Sequence, residues 1–294
     1  MSALTYATAQ LLRVVPRAQV GQALGRLADL QWSSGVGRAV VGLYSRVYDV
    51  ELGECEAAGW SSFDAFFTRG LRKGARPVDP DPRAIVSAAD GLIAAMGRID
   101  DQSTWPVKGR PYRIGELLGS EEDGRRFEGG RACVIYLSPR DYHRVHSPVR
   151  GTLVSVRSLP GDYYPVNAIG MRHVPNLFVR NRRVAIAIDA EPASRLGRVT
   201  IVMVSAMIVG RITVTGIAAR DVPLGEHRLD LPVDKGQEIG VFHLGSTAVV
   251  LVEEAARAEW TLSEGPVRFG ETIAMSGAAA PGKDAASASL RGSP

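Results

Sequence analysis

Apolar positions near the start of the chain recur at helical spacing. One set falls at i, i+4, i+7, i+8 and i+11, and therefore on one helical face: Val36, Val40, Leu43, Tyr44 and Val47. Val20, Leu24 and Leu27 form an earlier stripe, and Ser33-Ser34-Gly35 separates the two. We predict helices from about Thr5 to Tyr48, with an apolar face that either packs on the protein or dips into a lipid headgroup layer.

From Val78 onward, short β-rich runs separated by Gly, Pro and Asp replace this pattern. The runs are Ala132 to Leu137, Gly151 to Val156, Val184 to Ile188, Val199 to Val204, Arg211 to Ile217 and Thr247 to Glu253. Gly115 to Leu118 is a short helical interruption. The pattern predicts an α+β fold with a mostly antiparallel β-sheet or barrel as its body.

The same patterns divide the chain into three parts. Residues 1–76 form a predicted amphipathic helical segment, and residues 77–275 form a β-rich domain. Residues 276–294 are rich in Ser, Ala, Gly and Pro, a composition that cannot bury a core, so we predict a disordered tail.

Charge is concentrated at the start of the chain. Five arginines and the single acid Asp29 give the segment from Met1 to Val47 a net charge of +4, equal to that of the whole protein. A basic segment suits nucleic acid or an anionic membrane, and the apolar residues between the arginines favour the membrane over a nucleic-acid partner. A solvated helical face is the alternative.

No apolar stretch reaches the roughly 20 residues needed to span a bilayer. Arg13 and Arg17 interrupt the region where a secretory signal would have its apolar core. Cys55 and Cys133 are far apart and lack a CxxC partner, which indicates a reducing compartment. We therefore expect a protein that lies on a membrane without crossing it.

Gly245-Ser246-Thr247 stands between two apolar runs. Such a tripeptide is most often a tight turn between strands. Glycine also permits a strained turn that exposes its carbonyl to the serine hydroxyl. If a base removes the hydroxyl proton, Ser246 can attack the Gly245 carbonyl and form an ester. Elimination then breaks the chain and leaves a dehydroalanine, which hydrolyses to a pyruvoyl group.

His143 and His146 form an HxxH pair within Asp141-Tyr142-His143-Arg144-Val145-His146. Two imidazoles near one site suit a base or a metal. Zinc needs further ligands, and the remaining histidines (His173, His227 and His243) lack a recognisable spacing, so we expect no metal. Asp90-Gly91 reads as a β-turn whose carboxylate can also orient an imidazole.

These elements together resemble the phosphatidylserine decarboxylases over most of the chain. The similar segments are Ser62 to Arg69, Gly74-Ala75-Arg76-Pro77, Val107-Lys108-Gly109, Glu116 to Gly119, Tyr136 to His146, Pro165-Val166-Asn167, Leu177-Phe178, Asn181, Lys235 to Phe242 and Leu244-Gly245-Ser246-Thr247. The chain departs from the family pattern at Asp64, Ala65, Arg182 and Ser205, the last where Gly is frequent.

The resemblance implies that Asp90, His146 and Ser246 form a charge-relay set for self-cleavage between Gly245 and Ser246. His146 is then the base, Asp90 its orienter and Ser246 the internal nucleophile. The products are a large chain, 1–245, and a small chain, 246–294, which begins with a pyruvoyl cofactor. This group forms a Schiff base with phosphatidylserine and yields phosphatidylethanolamine and CO2, with His143 handling the substrate carboxylate or a proton.

The resemblance also implies partners and a location. The implied substrate is phosphatidylserine, and the protein is expected to bind an anionic membrane surface. Its two fragments are expected to stay together after cleavage. The expected location is peripheral, on the cytoplasmic face of the cell membrane, and a homodimer is compatible with the sequence. Two other interpretations stand beside this one: a zinc hydrolase that uses His143 and His146, and a non-catalytic β-rich membrane-binding module in which Gly245-Ser246 is a turn.

Overall fold

The computed structural model describes residues 17–56, 59–206 and 211–277. Three helices precede the β-rich body: α1 (Arg17–Ala28), α2 (Ser34–Tyr48) and α3 (Phe63–Phe67). The prediction of helices up to Tyr48 is confirmed from residue 17, whereas its part before that residue lies outside the described residues, as does the predicted tail from residue 278 onward. The break between α1 and α2 spans residues 29–33, so Ser34 and Gly35 belong to the second helix.

In the described part of the chain, the body contains sixteen strands with short helices between them. The strands are β1 (Ala84–Val86), β2 (Gly91–Arg98), β3 (Thr104–Val107), β4 (Arg110–Arg113), β5 (Arg131–Leu137), β6 (Arg144–His146), β7 (Gly151–Leu159), β8 (Arg183–Ala190), β9 (Arg198–Ser205), β10 (Arg211–Val214), β11 (Gly225–Val233), β12 (Glu238–His243), β13 (Ser246–Val252), β14 (Glu259–Trp260), β15 (Gly265–Val267) and β16 (Thr272–Met275). The helices are α4 (Ile114–Leu118), α5 (Glu121–Arg125), α6 (Ala168–His173) and α7 (Leu177–Arg180), with 3-10 turns at Pro192–Ser194 and Glu254–Ala256. All six predicted β runs are strands.

Eight strands form the largest sheet, in the order β11-β7-β8-β9-β13-β5-β2-β15, and every pair in it is antiparallel. Smaller antiparallel sheets have the orders β10-β12-β6, β1-β16-β14 and β3-β4. The predicted α+β fold with a mostly antiparallel body is confirmed. β13 lies in the interior of the largest sheet, between β9 and β5.

The two faces of the large sheet bury two different cores. Along β13, Ala248 and Val250 belong to one core, whereas Val249 and Leu251 belong to the other. Successive side chains of a strand point to opposite faces, so a strand buried on both sides reads as a continuous apolar run. We refer to the core containing Ala248 and Val250 as the inner core; it also contains Val145 of β6 and Phe242 of β12.

The apolar stripe of α2 is largely exposed. Val36, Leu43 and Val47 are 53%, 66% and 65% exposed, and Leu27 and Leu30 near the end of α1 are both 61% exposed. The buried residues of α2 are Gly37 and Val41. Val36, Leu43 and Val47 therefore do not pack into the core, whereas Tyr44 of the same stripe is partly buried against it. Among the described residues, no helix is both long and apolar enough to cross a bilayer.

Ion pairs and a hydrogen bond attach the helices to the body. The Arg211 guanidinium of β10 lies 2.7 Å from Asp29 and 2.8 Å from Asp64. The Tyr44 hydroxyl of α2 donates to the Pro139 carbonyl, 3.1 Å away. These contacts fix α1 and α2 on the body of the protein. The helices lie on the side of the molecule where Leu244 packs against Ala28 and Phe67.

Candidate active site

Ser246 is the first residue of β13, and a two-residue connection, Leu244-Gly245, joins it to β12. Its Cα partners are Leu137 of β5 and Ser205 of β9. Ser246 is 1% exposed, so its hydroxyl lies inside the protein. The predicted nucleophile thus sits at the edge of the inner core, directly after a tight connection.

The backbone strain at this connection lies at Leu244. Leu244 has a φ of 84°, whereas the φ of Gly245 is not positive. A non-glycine residue rarely adopts such a φ, and it costs about 1–3 kcal/mol. A Cβ added to Gly245 would meet nothing within 4 Å, so packing does not require glycine there. The unusual dihedral of this connection therefore belongs to the leucine.

Several buried polar atoms near Ser246 have no hydrogen-bond partner. The Oγ atoms of Ser246 and Ser205 and the Nε2 atom of His143 are all in this state. An unpaired buried polar group costs about 1–3 kcal/mol, and native structures contain few. Ser205 is the Cα partner of Ser246, so two of these unpaired atoms belong to neighbouring strands beside the Gly245–Ser246 bond.

His143 is fully buried, and its ring packs against Phe67 in a tilted arrangement with centroids 4.1 Å apart. Its Nδ1 lies 2.9 Å from the Asp141 carbonyl, which can only accept, so Nδ1 carries the hydrogen and Nε2 keeps a free lone pair. Burial lowers the pKa of His143 to about 3, with the nearby Arg69 charge acting in the same direction. His143 is therefore a neutral imidazole. It contacts Phe67, which in turn packs against Leu244.

His146 has both ring nitrogens engaged. Nδ1 donates to the Gly236 carbonyl at 2.8 Å, and the Tyr142 hydroxyl donates to Nε2 at 3.1 Å. Its ring stacks on Phe269. Burial lowers the pKa of His146, against the opposing influence of the Gly236 carbonyl and of the Glu238 and Asp90 charges. His146 is thus held in one orientation with its basic nitrogen covered by Tyr142.

Asp90 lies at the start of β2 and is held by Arg76 and Phe269. The Arg76 Nη2 atom lies 2.6 Å from Oδ2, and the Phe269 N–H donates to Oδ1 at 2.8 Å. Arg76 also contacts Glu54 at 2.6 Å. Although burial acts to lower it, the hydrogen bonds and charges of Asp90 and Glu54 raise the pKa of Arg76 above its usual value. The carboxylate is therefore firmly placed.

Within the described residues, no hydrogen bond joins Asp90 to His146 or His146 to Ser246. Phe269 connects the first pair, since its N–H contacts Asp90 and its ring contacts His146. The relay order predicted from sequence stays a prediction.

Sequence reasoning gave no role to Arg76, Tyr142 or Phe269. Arg76 and Tyr142 lie in segments that carried the family resemblance, but no spacing pairs them with Asp90 or His146. Phe269 lies in no motif, so only the fold could reveal it.

Two polar clefts open beside these residues. One has a volume of about 560 Å³ and is lined by Asp90, Arg69 and Arg76 among others. The other has a volume of about 300 Å³ and is lined by His146, Glu238 and Phe269 among others. Tyr142 lines both clefts. Polar ligands therefore have access to Asp90 and His146 from solvent, whereas Ser246 is closed off.

A third cleft is apolar. It has a volume of about 470 Å³ and lies between α1, α2 and α3, where Leu27, Val36 and Phe63 line it. Leu244 also lines it, so the groove reaches the residue before Gly245. This groove connects the exposed apolar face of the helices with the connection that precedes Ser246.

The described residues contain no group of three or more His, Cys, Asp and Glu side chains arranged to hold a metal ion. His143 and His146 use their Nδ1 atoms on different carbonyls, those of Asp141 and Gly236. Cys55 and Cys133 are both buried and free.

Comparisons with known proteins give a consistent result. The model of the phosphatidylserine decarboxylase family matches residues 63–275. A phosphatidylserine decarboxylase proenzyme of Psychrobacter arcticus is 39% identical over 90% of this chain and 95% of its own length. The proenzymes of Marinobacter nauticus and Acinetobacter baylyi are both 37% identical, over 88% and 82% of this chain and 94% and 85% of their own lengths.

Proposed function

Because the chain belongs to the phosphatidylserine decarboxylase family, we propose that it matures by cleaving itself between Gly245 and Ser246. It is a decarboxylase proenzyme, and its reaction converts phosphatidylserine to phosphatidylethanolamine and CO2. The observation that carries the self-cleavage is the buried Ser246 hydroxyl, which has no partner and follows a connection with a strained residue, Leu244.

The cleavage uses atoms that are already adjacent. Ser246 Oγ attacks the Gly245 carbonyl carbon, the C–N bond breaks, and an ester replaces the peptide bond while the Ser246 nitrogen becomes an amine. Loss of the Cα proton of residue 246 then expels the Gly245 carboxylate and leaves a dehydroalanine. Water hydrolyses its imine tautomer, which releases ammonia and leaves a pyruvoyl group. Strain at Leu244 supports the overall cleavage, because the elimination that breaks the connection relieves it.

His146 is the proposed base for this cleavage and Asp90 its orienting group. Burial supports the role of His146, since a lowered pKa keeps the imidazole neutral and able to take a proton at pH 7. For direct transfer, His146 Nε2 must exchange the Tyr142 hydroxyl for Ser246 Oγ. Asp90 acts on His146 through its charge and through Phe269, which contacts both.

A pyruvoyl group at position 246 fits the residues around it. The ketone of such a group condenses with the substrate amine and accepts electrons as CO2 leaves. Ser205, the Cα partner of residue 246, and His143 each offer a buried polar atom without a partner. We assign His143 to the substrate carboxylate or to proton handling: a carboxylate beside Nε2 would favour its protonation, which reverses the effect of burial.

The two fragments are expected to remain one protein after cleavage. The small fragment begins with β13, which pairs with β5 and β9 of the large fragment over seven residues on each side. β15 and β16 add pairs with β2 and β1. Removing an interior strand would expose both sheet cores, so the break leaves the fold in place.

The exposed face of α1 and α2 supports a peripheral position on an anionic membrane. Apolar side chains such as Leu43 and Val47 project from it, and arginines of the same helices supply positive charge. The apolar groove that ends at Leu244 supports entry of a lipid acyl chain toward residue 246. The membrane surface that we expect the protein to bind is the cytoplasmic face of the cell membrane.

The homodimer stays a prediction, which native mass spectrometry would test.

Intact mass spectrometry of the purified protein tests the proposal. We expect two fragments, 1–245 and 246–294, the second with a mass that corresponds to a pyruvoyl terminus in place of serine. Ser246→Ala should remain one chain, whereas Ser158→Ala, which removes another serine hydroxyl buried in the same sheet, should cleave normally. A single unbroken chain with activity and an unmodified Ser246 would overturn the proposal.

A further inference from the structure

Two serine hydroxyls lie opposite each other across neighbouring strands. Ser205 ends β9, Ser246 begins β13, and the two residues are Cα partners in the antiparallel register. They are 0% and 1% exposed, respectively. Because directly opposite residues have Cβ atoms about 4.5–5.5 Å apart, each hydroxyl comes close to the other when χ1 rotates.

The alternation of the two strands places both side chains on the same face. Ser205 continues the series of Ile201 and Met203, and Ser246 precedes Ala248 and Val250 at the same two-residue spacing. All four of these apolar residues belong to the inner core. The hydroxyls of Ser205 and Ser246 therefore point into one space, at the end of that core.

The backbone of Ser205 is hydrogen-bonded on both sides, whereas its side-chain hydroxyl has no partner. Its N–H donates to the Arg182 carbonyl at 2.9 Å, and its carbonyl accepts from the fully buried Asn181 side chain at 2.8 Å. Its Oγ has no partner, and neither has the Oγ of Ser246. Each hydroxyl lacks the hydrogen bond that the other can supply, and leaving both unmade is unfavourable.

We propose that Ser205 is a positioning residue for self-cleavage, whose hydroxyl donates a hydrogen bond to Ser246 Oγ. This bond fixes the Ser246 side chain, leaves its own proton free for the base, and keeps the other lone pair of Ser246 Oγ directed at the Gly245 carbonyl carbon. The inference rests on the self-cleavage proposed above.

Cell-free synthesis of the full chain, followed by denaturing gels over time, measures the cleavage rate and tests this role. We expect Ser205→Ala and Ser205→Gly to slow cleavage about three- to tenfold, the effect of one lost hydrogen bond. Ser205→Thr keeps the hydroxyl and should restore a rate close to that of the parent. Thr200→Val removes a buried hydroxyl from the other half of β9 and should change nothing.

Thermal unfolding of the same substitutions in the uncleaved Ser246→Ala chain shows whether each variant folds. Equal cleavage rates for Ser205→Ala and Ser205→Thr, whether both fast or both slow, would overturn the positioning role. A parent chain that never cleaves would instead overturn the proposed function. The two failures are therefore distinguishable in one experiment.

Discussion

The imidazole of His146 lies flat against the ring of Phe269, with centroids 3.8 Å apart and planes 2° from parallel. The Phe269 N–H also donates to Asp90. Phe269 follows the proposed cleavage point, whereas Asp90 and His146 precede it. The small fragment therefore supplies the residue that holds two proposed relay groups of the large fragment in place.

Replacing Phe269 with Leu should slow self-cleavage several-fold. The backbone N–H and its bond to Asp90 remain, but the ring that orients His146 is lost, along with about 0.5–1.5 kcal/mol of aromatic packing. The measurement is the rate at which newly synthesised chain splits. Phe127→Leu is the matched control, because Phe127 is also buried but belongs to the core on the other face of the sheet. If both variants cleave at the same rate, the stacking has no role.

Replacing Arg76 with Gln should lower the free energy of unfolding by about 3–5 kcal/mol, because it leaves a buried carboxylate without its cation. The Arg76 and Asp90 side chains are only 6% and 11% exposed. Urea unfolding of the uncleaved Ser246→Ala chain measures this change on a single polypeptide.

Arg83→Gln provides the comparison for this ion pair. Arg83 pairs with Asp81 at 2.9 Å, but its side chain is 56% exposed, so we expect a loss of about 1 kcal/mol or less. A similar small loss for Arg76→Gln would contradict the structural importance of its contact with Asp90.

His143 should make the uncleaved chain less stable as the pH falls below about 6.5. Burial lowers the folded-state pKa of His143 from the ordinary 6.5 to about 3. Between these values the unfolded chain binds a proton that the folded chain does not, so stability decreases with falling pH by about 1.4 kcal/mol per unit.

Urea unfolding of the Ser246→Ala chain at pH 7.5 and 5.5 measures this effect. The difference in stability between the two pH values should be smaller by about 1.4 kcal/mol in a His143→Asn variant. A His227→Asn variant, which removes a histidine from the partly exposed strand β11, should keep the dependence of the parent. An unchanged dependence in His143→Asn would mean that His143 is not a buried neutral imidazole.

Replacing Leu43 and Val47 together with Glu should weaken binding to phosphatidylserine-containing liposomes by at least about tenfold. Each apolar side chain contributes about 1.5–3 kcal/mol when fully buried, and the added charges oppose an anionic surface. Sedimentation with liposomes measures the bound fraction, and thermal unfolding confirms an intact fold.

Leu224→Glu is the control for this surface, since Leu224 is 59% exposed but lies outside α1 and α2. It should bind liposomes as the parent does. Unchanged binding of the Leu43→Glu, Val47→Glu chain would remove the role of these helices at a membrane.

The strands were predictable because burial on both faces leaves a continuous apolar run, as in Val199 to Val204. The break between α1 and α2 was placed about two residues late, because Ser34 and Gly35 signal a boundary in sequence but are accommodated in the first turn of α2. The strain at Leu244 was missed, because glycine is the residue that sequence reasoning associates with a positive φ.

The amino-acid sequence by itself determined the class of fold and the family, and through the family the motifs that contain Asp90, His143, His146 and Ser246. These are local signals, carried by periodicity and by ordered short segments. Only the tertiary structure decided that Arg76 and Phe269 hold Asp90, and that the apolar stripe of α2 is largely exposed. Likewise, Ser205 meets Ser246 only through strand register, because contacts between residues distant in sequence depend on how the sheet pairs, which no single segment encodes.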